Sequence, residues 1–164
     1  MEQNERKLIK FAQGNHLVEM ERLLKIGVNP NCSTPPLLRT PLHLAVSNGS
    51  TDAVKLLLEV GADPNKPKRN GDTPLYWAAL HGWTGGVKLL LNAGSDANKA
   101  NKAGETPLNV AACNGSTDVV KVLLDAGADP TKANWDGETP EHRASMRGFT
   151  EVVKILLDAR VTRG

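Results

Sequence analysis

Four histidines, two cysteines and three tryptophans are the residues of this chain whose types could carry chemistry or anchor a ligand. A metal centre or an acid–base pair needs such groups gathered at ligand or hydrogen-bond spacing. His16 and His81 are solitary. His43 and His142 lie three 33-residue intervals apart, but Tyr76 and Asn109 fill the two positions between them, so a metal or catalytic set drawn from that column is incomplete. Cys32 and Cys113 form neither a Cys-x-x-Cys pair nor a dense framework and read as free thiols of a reducing compartment. No HExxH, Walker-type, GxSxG or dinucleotide fingerprint occurs. The residues therefore predict no catalytic group, no metal, no cofactor and no enzymatic activity.

Charge does not single out a ligand either. Twenty Lys plus Arg against eighteen Asp plus Glu leave +2, too little for the broad positive field that drives unspecific nucleic-acid binding. Lys66-Pro-Lys-Arg69 is a short basic run with the look of a nuclear-import signal, and its plain reading is a solvated loop. The N-terminus is polar and no apolar run suits a signal peptide or a membrane span, so a cytoplasmic or nuclear protein is expected.

The elements that must position these residues announce themselves by repetition. A Thr-Pro pair begins at Thr40, Thr73, Thr106 and Thr139, each 33 residues after the last. Gly49, Gly82, Gly115 and Gly148 keep the same interval, as do Gly61, Gly94 and Gly127. Threonine can accept the orphan amide hydrogens of a helix start and proline fits the first helical position. A short helix therefore begins at each pair and ends before the next in-phase glycine, since glycine readily adopts the left-handed conformation that closes helices. Polar starters such as Ser50-Thr51-Asp52 and Ser116-Thr117-Asp118 then open a second helix, with Val54, Leu57 and Leu58, or Val119, Leu123 and Leu124, at helical spacing. Turn-forming Ala62-Asp63-Pro64-Asn65 and its equivalents follow. Only six residues are aromatic, so the core must be thin layers of Leu, Val and Ala. One helix pair cannot bury its own apolar face, so neighbours must stack.

Arg39-Thr-Pro-Leu-His-Leu-Ala, Gly71-Asp-Thr-Pro-Leu and Leu57-Leu-Glu-Val-Gly-Ala-Asp-Pro-Asn resemble the ankyrin repeat closely. The resemblance implies an all-α repeat solenoid of stacked helix-turn-helix units joined by β-hairpin-like loops, forming a single domain over 1–164. About five repeats are expected, at 5–31, 38–65, 71–98, 104–131 and 137–160, with the first and last as caps. Glu141 and Arg143 replace apolar residues of the earlier repeats, which we read as a polar end with no sixth unit over it, hence a complete array. The hairpin before Thr40 is one residue longer and lacks the glycine found at Gly71, Gly104 and Gly137, so an irregular turn stiffened by Pro35-Pro36 is expected. Gly85-Gly86 at the start of a second helix predict a local weak spot.

The resemblance also implies residue roles. The imidazoles of His43 and His142 would be structural hydrogen-bonders at the helix start. Asn31, Asn65 and Asn98 occupy positions that are sometimes hydroxylated in such proteins, with turn formation as their default role. Partners would bind the concave side built from hairpin tips and first helices. Mapped by position, that surface comprises Arg39, Ser47 and Asn48; Lys68, Arg69, Asp72, Trp77, Leu80 and His81; Lys102, Glu105, Cys113 and Asn114; and Trp135, Asp136, Glu138, Met146 and Arg147. Trp77 reads equally as inter-repeat packing or as an exposed groove residue. Trp135 sits in a hairpin with little core to enter and is expected to be a binding anchor. The basic residues Lys66, Lys68, Arg69, Lys99, Lys102 and Lys132 recur along one edge and suit an acidic strip on the partner. The expected function is a monomeric, non-catalytic adaptor or inhibitor that holds another protein and touches no membrane. The alternative is nucleic-acid or acidic-ligand binding through the basic hairpin edge.

Overall fold

Each Thr-Pro pair starts a helix in the way its chemistry demands. Thr40, Thr73, Thr106 and Thr139 are extended N-cap residues whose hydroxyls accept the amide N–H of His43, Tyr76, Asn109 and His142, with proline in the first turn behind them. The computed structural model describes residues 2–163; Met1 and Gly164, the outermost residues of the expected domain, lie outside the described residues. Among the described residues ten helices form five pairs: α1 Gln3–Gln13 with α2 Leu17–Lys25, α3 Pro41–Ser47 with α4 Thr51–Glu59, and α5 Pro74–Leu80 with α6 Thr84–Asn92. The last two pairs are α7 Pro107–Cys113 with α8 Thr117–Asp125, and α9 Pro140–Met146 with α10 Thr150–Arg163.

First helices pack on first helices in the order α1, α3, α5, α7, α9, and second helices likewise from α2 to α10. The product is an all-α solenoid of two layers. Its core is a ladder of fully buried side chains, Leu8, Leu42, Leu75 and Leu108 from the first helices and Met20, Leu57, Leu90, Leu123 and Leu156 from the second. Each is covered by the neighbouring pair, which is why no pair is stable alone.

Two local details add to what the sequence indicates. Ser50 and Ser116 stand at the N-cap of α4 and α8, yet neither side chain makes a capping hydrogen bond. His16 and Trp83 occupy the same position in α2 and α6, so the turn geometry there does not depend on a hydroxyl. Gly86 also has a packing reason: the Trp83 indole lies against it, and a methyl at that position would overlap the ring. The glycine that weakens α6 by propensity is the one that lets Trp83 pack on its first turn.

The first hairpin is irregular as expected. Leu38 has φ +56, a conformation that Gly71, Gly104 and Gly137 adopt in the later hairpins. Thr34 and Arg39 form an isolated antiparallel bridge, with the Thr34 N–H donating to the Arg39 carbonyl at 3.1 Å.

Asparagines stitch successive units together at the loop after each second helix. Asn65 Oδ1 accepts the Asp96 N–H at 2.8 Å and its Nδ2 donates to the Gly94 carbonyl at 2.9 Å. Asn31 makes the same pair of bonds to Asp63 and Gly61, and Asn98 to Asp129 and Gly127. These three residues therefore bond across repeats, a role beyond forming their own turns.

Candidate protein-binding surface

The residues expected on the concave side separate into those engaged within the scaffold and those left facing solvent. Asp72 is the clearest case of the first kind, at 4% exposure. Its carboxylate takes Lys68 Nζ at 2.9 Å, Asn70 Nδ2 at 2.8 Å, Asn101 Nδ2 at 2.9 Å and the Trp77 indole N–H at 3.2 Å. Burial by itself raises a carboxyl pKa, but the bonds from Asn101, Lys68 and Asn70 outweigh it and hold Asp72 below the usual range. Asp72 thus belongs to the scaffold rather than to a free contact surface, because its oxygens are already taken.

Trp77 resolves to a position between the two readings. It is half-buried, with Lys68 Nζ 4.1 Å and the Arg39 guanidinium 5.7 Å from its ring, and His81 tilted against it at 5.5 Å. The ring is a platform under two cations. Lys68 is correspondingly withdrawn: its side chain keeps 12% exposure between Asp72 and the indole.

A second cluster lies further along the inner face. The Tyr76 hydroxyl donates to Glu105 Oε2 at 2.7 Å, while Arg143 reaches Glu105 at 3.1 Å and Glu138 at 2.8 Å. Arg143 also points Nη2 at Cys113 Sγ, 3.3 Å away. Burial first, and then the bond to Glu105, push the Tyr76 phenol up. The Arg143 bond, helped by Asn134, holds Glu138 below the ordinary carboxylate value. Arg143, a polar residue at the position that is apolar in earlier repeats, turns back into the array and pairs with both carboxylates. Cys113 is buried beneath it and is not a surface contact. Glu105 and Glu138 are half-buried members of the same network.

What remains open to solvent is a smaller set. Ser47, Leu80, His81, Met146 and Arg147 are exposed along the ends of the first helices. Asn48 and Asn114 are exposed too, but their amides clamp the preceding unit, Asn48 on the Ala12 and Gln13 carbonyls and Asn114 on Leu80. At the hairpin tips Arg69, Lys102, Trp135 and Asp136 are exposed. Arg39 is half-buried. Leu37 and Leu38, exposed apolar residues on the first tip, were not among the expected contacts; an apolar pair inside a proline-stiffened loop was the available signal.

The basic edge is narrower than its sequence suggests. Lys66 Nζ donates to the Asn31 carbonyl at 2.6 Å and Lys132 Nζ to the Asn98 carbonyl at 2.9 Å, so both tie neighbouring loops.

The histidine column behaves as a scaffold device at one end only. His43 Nε2 donates to the Asp72 carbonyl at 3.1 Å, leaving Nδ1 to accept from Thr40. Asn109 copies this with its amide, bonding Thr106 on one side and the Glu138 carbonyl on the other. The His142 ring is exposed, and its backbone N–H donates to the Thr139 hydroxyl. Among the described residues no group of His, Cys, Asp and Glu could hold a metal ion, and no helix is long and apolar enough to cross a membrane. Burial pushes the Cys32 thiol up to about 11, the opposite of what a reactive thiol needs.

A family model described as ankyrin repeats (3 copies) matches residues 8–101 and 83–163. The chain belongs to the ankyrin-repeat family. Its similarity to individual ankyrin-repeat proteins is local. It is 44% identical over 66 residues to the 2-5A-dependent ribonuclease of Mus musculus, a stretch covering 40% of this chain and 9% of that protein. It is 44% identical over 52 residues to the Homo sapiens ARF GTPase-activating protein GIT1, covering 32% of this chain and 7% of that protein. With neurogenic locus notch homolog protein 4 of Homo sapiens it shares 45% over 53 residues, 32% of this chain and 3% of that protein. The chain thus spans less than a tenth of the length of these relatives. Their common ground with it is the repeat, a fold that is generally non-catalytic and serves as a protein-interaction module.

Proposed function

We propose that this ankyrin-repeat chain holds a partner protein on the inner face and hairpin edge of its stack and performs no chemistry of its own. The observation that carries this reading is the division of the concave residues. Asp72, Glu105, Glu138 and Arg143 are paired within the scaffold, which leaves a pre-formed surface of Ser47, Leu80, His81, Met146 and Arg147 beside the exposed tips. A mixed surface of amide, charge and scattered apolar groups suits a specific protein interface. The exposed cations Arg69 and Lys102 favour a partner with an acidic strip facing the tips. Nucleic-acid binding along the same edge draws less support, since Lys66, Lys68 and Lys132 are held by Asn31, Asp72 and Asn98. A cytoplasmic or nuclear setting fits the two free thiols.

The test is affinity capture from native lysate with three baits: the wild-type chain, Leu80→Glu with Met146→Glu, and Arg69→Glu with Lys102→Glu. Proteins retained by wild type and lost with either pair support the reading, and their release on raising salt supports the acidic strip. An identical set on all three folded baits removes it.

A further inference from the structure

We propose that the four hairpin tips form one docking strip for a single extended, acidic peptide segment with an apolar residue at each end. This rests on the protein-binding reading above and goes beyond it by naming the form and chemistry of the partner.

Arg69, Lys102 and Trp135 are equivalent positions one 33-residue period apart. Their backbones are joined to the preceding tip in turn: Arg69 N–H to the Leu37 carbonyl at 2.9 Å, Lys102 N–H to Asn70 at 3.0 Å, and Trp135 N–H to Ala103 at 3.0 Å. The tips are therefore a continuous row with its spacing set before any partner arrives, which lowers the ordering entropy of association.

The two ends of the row are apolar. Leu37 and Leu38 are 47% and 43% exposed on the first tip, and Trp135 is 76% exposed on the last. The indole is nevertheless held: its N–H donates to the Lys102 carbonyl at 2.9 Å, and one edge of the ring lies so close to Gly104 that a Cβ there would stand 2.8 Å from it. An ordered aromatic with a bare face is the kind of side chain that dominates interface energy.

The middle of the row is cationic. Arg69 and Lys102, with Leu37, Lys68 and Asn70, line a cleft of about 310 Å³ between the first three tips. Lys68 is already neutralised by Asp72, while no carboxylate is among the cleft residues to balance the other two cations. Acidic side chains on the incoming segment supply the missing counter-charge. A row one tip wide matches the width of an extended chain; a folded domain would instead engage the broader inner face around Leu80 and Met146.

The test is selection of a phage-displayed library of random linear peptides on the full chain, with fluorescence anisotropy of the enriched peptides. The expected peptides carry adjacent Asp or Glu flanked on both sides by aromatic or aliphatic residues. Arg69→Glu with Lys102→Glu should weaken them by about tenfold or more, and Trp135→Ala or Leu37→Ser by about fivefold. Lys88→Glu with Lys154→Glu, a matching charge reversal at exposed positions of the second helices, should change affinity by less than about twofold. Thermal melts of each variant confirm that it is folded, and the two end variants serve as checks on each other. Failure to enrich any peptide, or enrichment without acidic residues, overturns the proposal. So does binding that follows Leu80 and Met146 instead of the tips, an outcome that leaves the protein-binding reading standing. Equal binding of a homopolymeric RNA probe, displacing the peptides, would make the strip a general polyanion surface and would also overturn it.

Discussion

His43 Nε2 lies 3.1 Å from the backbone oxygen of Asp72, so a buried imidazole of one repeat is fastened to the hairpin of the next. Burial is the main reason its pKa falls from 6.5 to about 4. Between those values the folded chain keeps His43 neutral while the unfolded chain takes up a proton. Stability from this residue is therefore full above pH 6.5 and is lost as pH falls toward 4, by about 3 kcal/mol in all. Urea unfolding at pH 7 and near pH 4.5 should show the decline. His43→Asn, which copies the arrangement at Asn109, should flatten it; an unchanged pH slope in that variant would contradict the assignment.

Arg143 links Glu105 and Glu138 from the last repeat back to the fourth. Arg143→Ala strands a half-buried carboxylate that Tyr76 also contacts, and should cost about 1.5 to 3 kcal/mol of unfolding free energy. Glu105→Gln with Arg143→Ala should cost less than the sum of the two single changes. A strictly additive cycle would mean the two groups do not interact.

Gly85 and Gly86 should respond to alanine in opposite senses. Gly85 is exposed and a Cβ there makes only an ordinary 3.4 Å contact with Trp83, so Gly85→Ala should stabilise by up to about 1 kcal/mol. Gly86→Ala drives a methyl into the indole and should destabilise despite its better helix propensity. The measurement is a chemical-denaturation midpoint for each variant. Hydrogen exchange then reports whether α6 opens more readily than α4 and α8.

Asn65→Ala removes two bonds between repeats and should cost about 1 to 2 kcal/mol. Thr131 stands at the same position one repeat before the end and bonds locally to Asp129, so Thr131→Ala should cost less. Comparable losses at the two sites, read from thermal melts, would show that the cross-repeat bonds add nothing to the local turn.

Most of the fold was legible before any coordinates because its signals are local. Thr40 caps the residue three positions ahead, and the glycines after the first four second helices, Gly27, Gly61, Gly94 and Gly127, adopt a positive φ, +87 at Gly61. The surface was legible only in outline. Cys113 occupies the same repeat column as the exposed Ser47, Leu80 and Met146, and the types of Asp72, Glu105 and Cys113 gave no warning that Lys68, Tyr76 and Arg143 would engage them. Arg69 and Lys102 kept the exposure expected of them, and Trp135 did so while acquiring a bond to Lys102 that no spacing rule indicates.

The amino-acid order alone determined the period, the helix starts and stops, and the family, since capping and turn chemistry act within a few residues of each position. Tertiary structure decided which charges are paired within the scaffold and which face solvent. Those choices depend on partners such as Asn101 for Asp72 and Glu105 for Arg143, about one repeat away in the chain and brought within hydrogen-bond reach only when the units stack.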